Sequence, residues 1–167
     1  TAQKIPILES HSLNAQSPYA ASKIGADQLA TSFYKSYGLP LTIIRPFNTF
    51  GPRQSARAII PTIITQLLQK KNVIKLGNLT PTRDFTYIDD TVNAFLNAMK
   101  AKKISGEVIN IGNKFEISIK NILKIINKDF KYQFDVKIDK KRIRGKNSEV
   151  YRLYASNTKA AKILKWH

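Results

Sequence analysis

Ser17-Pro18-Tyr19-Ala20-Ala21-Ser22-Lys23 opens a segment that Gly38-Leu39-Pro40 closes, and Leu41-Thr42-Ile43-Ile44-Arg45-Pro46 follows at once. Serine before proline is a helix start. The hydroxyl accepts an orphan N–H of the first turn, and proline at the first helical position lacks an N–H that would go unpaired. Glycine accepts the left-handed conformation that ends a helix, and a proline just beyond cannot continue it. The spacing therefore predicts a helix over 18–37, then a short apolar strand over 41–45 that reads as buried. A helix turned directly into a buried strand is half of a β-α-β unit, so the stretch argues for an α/β fold with a parallel sheet.

The alternation continues on the C-terminal side. Asn48 to Pro52 reads as a turn-rich stretch, and 58–69 as a helix that tolerates Pro61 in its first turn. Strands are predicted over 73–76, 84–88 and 107–111, the last closed by Gly112. Asp89 or Asp90 caps a helix to Lys100, and Ser118 caps another to Asp129. In that second helix Ile119, Ile122, Leu123 and Ile126 share one face, while Lys120, Lys124 and Lys128 form a solvated outer face. Residues 133–138 alternate like a strand, 139–149 form a basic loop, and Asn157 opens a last helix towards Lys165. Thr1 to Ile7 carries no cap or strand signal, and the last helix reads as cut off at Trp166-His167. The chain is therefore read as a fragment.

Composition narrows the chemistry. The 167 residues include 28 Lys and Arg against 11 Asp and Glu, for a formal net charge of +17, with 43% hydrophobic residues. That hydrophobic share is globular rather than disordered. With no cysteine and two histidines, His11 and His167, the chain offers no disulfide, no Cys-ligated zinc, no thiol nucleophile and no His-rich metal site. The basic surplus favours an anionic partner, whether nucleic acid, an acidic membrane surface or a phosphate-bearing small molecule, although much of it is ordinary solvated lysine. Arginine-bearing loops with few interleaved aromatics argue against nucleic acid. No apolar run approaches the ~20 residues that cross a bilayer. The expectation is a cytoplasmic protein without a membrane or nucleic-acid partner. The seven glycines are nowhere spaced as a dinucleotide-binding fingerprint.

Tyr19 and Lys23 stand at i and i+4, one turn apart on one helix face. Free tyrosine, with a pKa of about 10, is a poor base at neutral pH. A neighbouring ammonium favours phenolate, which makes the pair a plausible proton-transfer unit. The same spacing also arises by chance in exposed helices. Asn48 can donate and accept towards a sugar or phosphate edge, and serves equally well as a turn residue fixing its own backbone. Arg57 fits a surface role as well as a pocket one.

Taken together, Ser17 to Lys23, Leu41 to Pro46, Asn48-Thr49-Phe50-Gly51-Pro52, Arg83-Asp84-Phe85-Thr86-Tyr87-Ile88-Asp89-Asp90 and Val108-Ile109-Asn110-Ile111-Gly112 resemble the extended short-chain dehydrogenase/reductase family. The match is best to its NAD-dependent nucleotide-sugar epimerases and dehydratases. The stretches Arg53 to Thr62 and Leu79 to Asp84 resemble the N-acetylhexosamine-nucleotide 4,6-dehydratases of legionaminic-acid-type pathways.

The resemblance implies the C-terminal part of a Rossmann-like parallel sheet with a smaller α/β substrate-binding domain. Residues 1–52 would be the Rossmann-like remnant carrying the Tyr-Lys helix. Residues 53–167 would be mainly substrate-binding, with 84–112 returning to the Rossmann-like part. It implies Tyr19 and Lys23 as catalytic residues, and Tyr19, Lys23, Pro46 and Asn48 as contacts to NAD. Asn48, Arg57, Arg83 and Arg144 would bind a nucleotide sugar. Arg142 competes with Arg144 for the second diphosphate contact, and Arg53 adds positive potential. Gly145 departs from the proline usual in that loop. The implied reaction is oxidation at C4, loss of water from C5 and C6, and reduction at C6 of a UDP- or GDP-N-acetylhexosamine. A 4-epimerase or decarboxylase of the same family is the alternative, and a basic non-catalytic binding domain the remote one. The glycine-rich loop, and the acidic pair separating dehydratase from epimerase, are expected upstream of Thr1. These 167 residues alone are expected neither to turn over substrate nor to bind NAD. The family often forms homodimers through helices that include the Tyr-Lys one.

Overall fold

The computed structural model describes residues 2–129, 133–143, 145 and 149–167. Helix α1 spans Pro18–Tyr37, as its signals require. The Ser17 hydroxyl accepts the Ala20 N–H at 3.1 Å, and Gly38, at φ +66°, donates its N–H to the Tyr34 carbonyl at 2.9 Å. Strand β1 (Ile43–Pro46) follows, and an Asp27–Arg45 ion pair at 2.7 Å ties α1 to it. Gly106 completes the docking of the helix. It sits at φ +83°, and a β-carbon there would lie 2.3 Å from the Tyr34 ring.

Beyond β1 the chain makes a second strand, β2 (Asn48–Phe50), where the sequence reads as a turn. The reason is a partner far along the chain. β2 pairs in parallel with β5 (Phe85–Tyr87), Asn48 facing Phe85 and Phe50 facing Tyr87. Helix α2 (Ile59–Leu68) and strand β3 (Val73–Leu76) form as expected.

The segment expected as one strand over 84–88 is instead β4 (Thr82–Arg83) and β5 (Phe85–Tyr87), split at Asp84. Helix α3 (Ile88–Lys100) starts earlier than expected, with Tyr87 at its N-cap. Asp89 and Asp90 therefore lie within the first turn, where their charge meets the positive end of the helix dipole rather than capping it.

Strand β6 (Val108–Ile111) pairs in parallel with β1, Ile44 beside Ile109. Strand β7 (Ile117–Ser118) runs straight into α4 (Ile119–Asp129), and the Ser118 hydroxyl accepts the Asn121 N–H at 3.1 Å. Strand β8 (Asp135–Ile138) pairs in parallel with β3. Strand β9 (Arg152–Leu153) joins β4 and β7 in a three-stranded sheet of order β7-β4-β9, β4 and β7 being antiparallel.

Helix α5 (Thr158–Leu164) is not cut off at the end of the sequence. Lys165 closes it in a left-handed conformation, and Trp166 turns back into the core, its indole N–H donating to the Asp90 carbonyl at 2.8 Å. The first residues also gain a structural role. Ile7 bridges Ala155 and accepts the Asn110 side-chain amide at 3.0 Å, a pairing no local signal announces.

Two apolar clusters result. Ile63, Leu67, Ile74, Leu76, Ile119, Leu123 and Phe134 fill the space between α2, α4 and the β3–β8 pair. Ala94, Ile104, Ile109, Ile111, Ala160, Leu164 and Trp166 pack α3 and α5 on β6. Helix α1 contributes no fully buried residue, and Leu29, Phe33 and Tyr37 are exposed on it. No helix among the described residues is long and apolar enough to cross a membrane.

One charged contact in the three-stranded sheet carries a prediction. The Glu116 carboxylate accepts from the Arg152 guanidinium and the Thr82 hydroxyl, and the Arg152 hydrogen bond is the main reason its carboxyl lies below the usual range. A carboxyl whose pKa is depressed by folding stabilises the fold above its unfolded value, 4.5, and that contribution is lost as pH falls through the folded value. Glu116→Gln is expected to lower Tm by a few degrees at pH 7, and the gap to wild type is expected to close on acidification. Thermal melts across pH check this; a gap independent of pH would refute it.

Candidate functional site

Three regions far apart in sequence, 48–57, 83 and 142, meet around an open cavity of about 370 Å³. Asn48 comes from the start of β2, Arg57 from the loop before α2, Arg83 from the end of β4, and Arg142 from the short 3-10 turn Lys140–Arg142. Gly77 allows that turn to sit so close, since a β-carbon there would lie 2.6 Å from the Arg142 carbonyl oxygen. Asp139 shapes the turn by accepting the Lys141 N–H at 3.0 Å and pairing with Arg142 at 3.4 Å.

Among the described residues the lining thus gathers three guanidiniums and one carboxylate, Glu149. Guanidinium forks match phosphate oxygens two at a time, so the cavity is suited to an anion with phosphate geometry. Arg83 is largely covered. Its guanidinium donates to the Thr82 carbonyl at 2.8 Å and faces the Glu149 carboxylate at 3.5 Å. Asn48 is pinned rather than mobile, because its backbone N–H and its side-chain NH₂ both donate to the Asp84 carbonyl, at 3.1 and 3.3 Å.

Tyr19 and Lys23 lie side by side in the first turns of α1, with Lys23 Nζ 5.7 Å from the centre of the Tyr19 ring. Both side chains are exposed, Tyr19 by 72%. Neither is among the residues that line the cavity. Among the described residues, neither the Tyr19 hydroxyl nor the Lys23 ammonium hydrogen-bonds to another group of the chain. Pro46, at the end of β1, and Arg53, at φ +66°, are exposed and also lie outside the lining. Arg57 lines the cavity while remaining exposed. Arg144 lies outside the described residues.

Three residues here escape a reading of the sequence. Gln54 lines the cavity and donates to the Thr49 carbonyl at 2.8 Å. Glu149 supplies its carboxylate. Asp84 stands behind the wall, fully buried, accepting N–H bonds from Asn113 at 2.8 Å, Ala155 at 3.1 Å, and Lys114. Burial pushes its carboxyl above the usual range, and those three donors pull in the opposite direction. The available signal was a carboxyl at the first position of a predicted strand, directly after Arg83.

Comparison with known proteins fits this architecture. The chain matches the GDP-mannose 4,6 dehydratase family over residues 1–167. A dTDP-D-glucose 4,6-dehydratase of Dictyostelium discoideum is 46% identical over 116 residues, 69% of this chain and 26% of that protein. A putative UDP-glucose 4-epimerase of Methanocaldococcus jannaschii is 32% identical over 165 residues, 97% of this chain and 52% of that protein. The crystal structure of a Bacillus cereus UDP-glucuronic acid 4-epimerase, in complex with UDP-glucuronic acid and NAD, superposes with a TM-score of 0.90 at 30% identity. That superposition covers all of this chain and 52% of the epimerase. The chain thus spans between about a quarter and about half of the length of these relatives. A match running the whole length of the chain, on a parallel α/β framework shared with these proteins, places it in the GDP-mannose 4,6 dehydratase family, among relatives that include nucleotide-sugar 4,6-dehydratases and 4-epimerases.

Proposed function

We propose that this chain is the catalytic-tyrosine and sugar-nucleotide-binding part of an NAD-dependent nucleotide-sugar 4,6-dehydratase acting on a UDP- or GDP-N-acetylhexosamine. The observation that carries the reading is the convergence of Asn48, Arg57, Arg83 and Arg142 on one cavity. Three cations around an open pocket of that volume suit a diphosphate with a sugar beside it. Arg144 would contribute from the same basic loop. The N-acetylhexosamine preference rests on the Arg53 to Thr62 and Leu79 to Asp84 stretches.

The residues present suit the nicotinamide end of NAD. A hydroxyl and an ammonium stand exposed on one helix face with no hydrogen-bond partner among the described residues, on the helix that precedes β1 and β2 in the chain. Tyr19, Lys23, Pro46 and Asn48 would hold that end. NAD held there would supply the hydride acceptor for C4 of the sugar and the hydride donor for C6. Tyr19 takes the proton of the C4 hydroxyl, and Lys23 holds the ribose and stabilises the phenolate. Asn48 orients the sugar–phosphate junction, while Arg83 and Arg142 neutralise the diphosphate. Residues 1–52, with 84–112, form the Rossmann-like part in this reading, and the rest forms the substrate lobe. The parent is read as a cytoplasmic homodimer.

A second reading, the 4-epimerase, is favoured by the 97% coverage of this chain by the M. jannaschii relative. Incubating the full-length protein with NAD and UDP- or GDP-N-acetylglucosamine separates the two. A 4-keto-6-deoxy product, lighter by one water in mass spectrometry, supports the dehydratase. A C4 epimer of unchanged mass supports the epimerase, and carbon dioxide release from a uronic acid the decarboxylase. Turnover of sugar nucleotides lacking the N-acetyl group only would overturn the finer substrate assignment.

A further inference from the structure

We propose that Asp84 is the positioning residue of the nucleotide pocket: by gathering backbone N–H groups from residues 113, 114 and 155 it fixes the strand break that aims Arg83 and seats Asn48. The inference rests on the reading of the cavity as a sugar-nucleotide site, and it extends that reading to a residue that does not touch the ligand.

The geometry begins with side-chain alternation. Arg83 and Phe85 both line the cavity, and Asp84 between them is directed the other way, into the junction behind the wall. There its Oδ1 accepts the Asn113 N–H at 2.8 Å and its Oδ2 the Ala155 N–H at 3.1 Å, with Lys114 as a further backbone donor. The donors belong to two otherwise separate segments, the exit of β6 and the stretch between β9 and α5. The backbone of Asp84 is held as firmly. Its N–H donates to the Leu153 carbonyl at 2.9 Å, and its carbonyl accepts both N–H groups of Asn48. One residue thus connects β2, β4, β5, the β6 exit and the β9 exit.

A carboxylate taken wholly out of water is costly unless donors surround it. An apolar residue could fill the volume but would leave the Asn113, Lys114 and Ala155 N–H groups without this acceptor. What a carboxylate adds is several directional, charge-assisted bonds from one small group, and these set the relative position of three backbone segments. The surroundings accommodate it closely. Gly112 is the only residue type that leaves room, because a β-carbon there would lie 2.6 Å from Oδ2 of Asp84 and 2.8 Å from Cβ of Ala155.

The test uses the full-length protein in three variants. Asp84→Asn turns one acceptor into a donor facing N–H groups. Gly112→Ala changes no pocket residue and keeps the Asp84 carboxylate, but forces that carboxylate to move. Ile109→Val, in the core beneath, is a stability control. Binding of UDP, GDP and dTDP is measured by calorimetry at a temperature where circular dichroism shows each variant folded. For the nucleotide that wild type prefers, Asp84→Asn and Gly112→Ala are each expected to bind about 10-fold or more weakly, as a displaced pocket wall requires. Ile109→Val is expected to bind as wild type does. Adding Asp84→Asn to Arg83→Ala is expected to weaken binding by less than it does in wild type, because the two changes remove the same contact. Unchanged affinity in both Asp84→Asn and Gly112→Ala, or an equal loss in Ile109→Val, would overturn the proposal while leaving the pocket reading intact. Should Asp84→Asn fail to fold, Gly112→Ala decides the question alone. A wild-type protein that binds none of the three nucleotides would overturn the pocket reading and the proposal with it.

Discussion

Tyr19→Phe in the full-length protein is expected to lower kcat by about 10²–10⁴-fold, the range for losing a positioned proton-transfer group. The substitution removes one oxygen and leaves the ring. Lys23 Nζ retains the ring face it approaches at 5.7 Å, and the helix keeps its Ser17 cap. Within this chain Tyr19 is 72% exposed and its hydroxyl makes no hydrogen bond among the described residues, so none of their contacts is lost with that oxygen. KM for the sugar nucleotide is expected to stay within about threefold, since an interaction made mainly in the transition state lowers kcat and kcat/KM together. Steady-state kinetics measures both parameters. A variant that keeps most of its kcat would remove Tyr19 from the chemistry, and a variant that loses KM instead would make it a binding residue.

Arg83→Ala is expected to weaken nucleoside diphosphate binding by about 10²-fold, an effect typical of truncating one side of a covered charge pair. Two losses combine here. The guanidinium fork is gone, and Glu149, whose side chain is 9% exposed, keeps its negative charge in the cavity facing the incoming phosphates. Arg83→Lys is expected to recover only part of the affinity, because an ammonium cannot present two parallel donors to phosphate oxygens. Arg83→Ala combined with Glu149→Gln is expected to bind more tightly than Arg83→Ala alone, because the repelling carboxylate is removed. Calorimetric titration distinguishes these cases. Binding by Arg83→Lys equal to wild type would reduce Arg83 to a generic positive charge.

The two expectations differ in how visible their residues were. Tyr19 and Lys23 could be placed on one face from a spacing of four, because both belong to a single helix whose start and stop are written in Ser17-Pro18 and Gly38. Strand β3 and helix α2 were equally legible, since caps, proline positions and apolar periodicity act within a turn or two of chain. The missed features share a different cause. Asn48–Phe50 becomes a strand because Phe85–Tyr87 lies beside it, and Ile7 bridges Ala155 across almost the whole sequence. Neither partner leaves a mark on the residues it pairs with.

Asp84 shows the same division within a single side chain. Its place at the head of a predicted strand was readable, but its three donors come from residues 113, 114 and 155. The sequence alone determined the α/β alternation, the helix boundaries set by caps and glycines, the basic character of the chain and the Tyr19–Lys23 pair. Only the tertiary structure decided that Asn48, Arg57, Arg83 and Arg142 share a cavity, that Glu149 faces Arg83, and that Trp166 seals a core instead of trailing from a helix. Local backbone preferences are encoded in neighbouring residues, whereas a binding pocket is assembled from segments whose sequence separation carries no information about their distance in space.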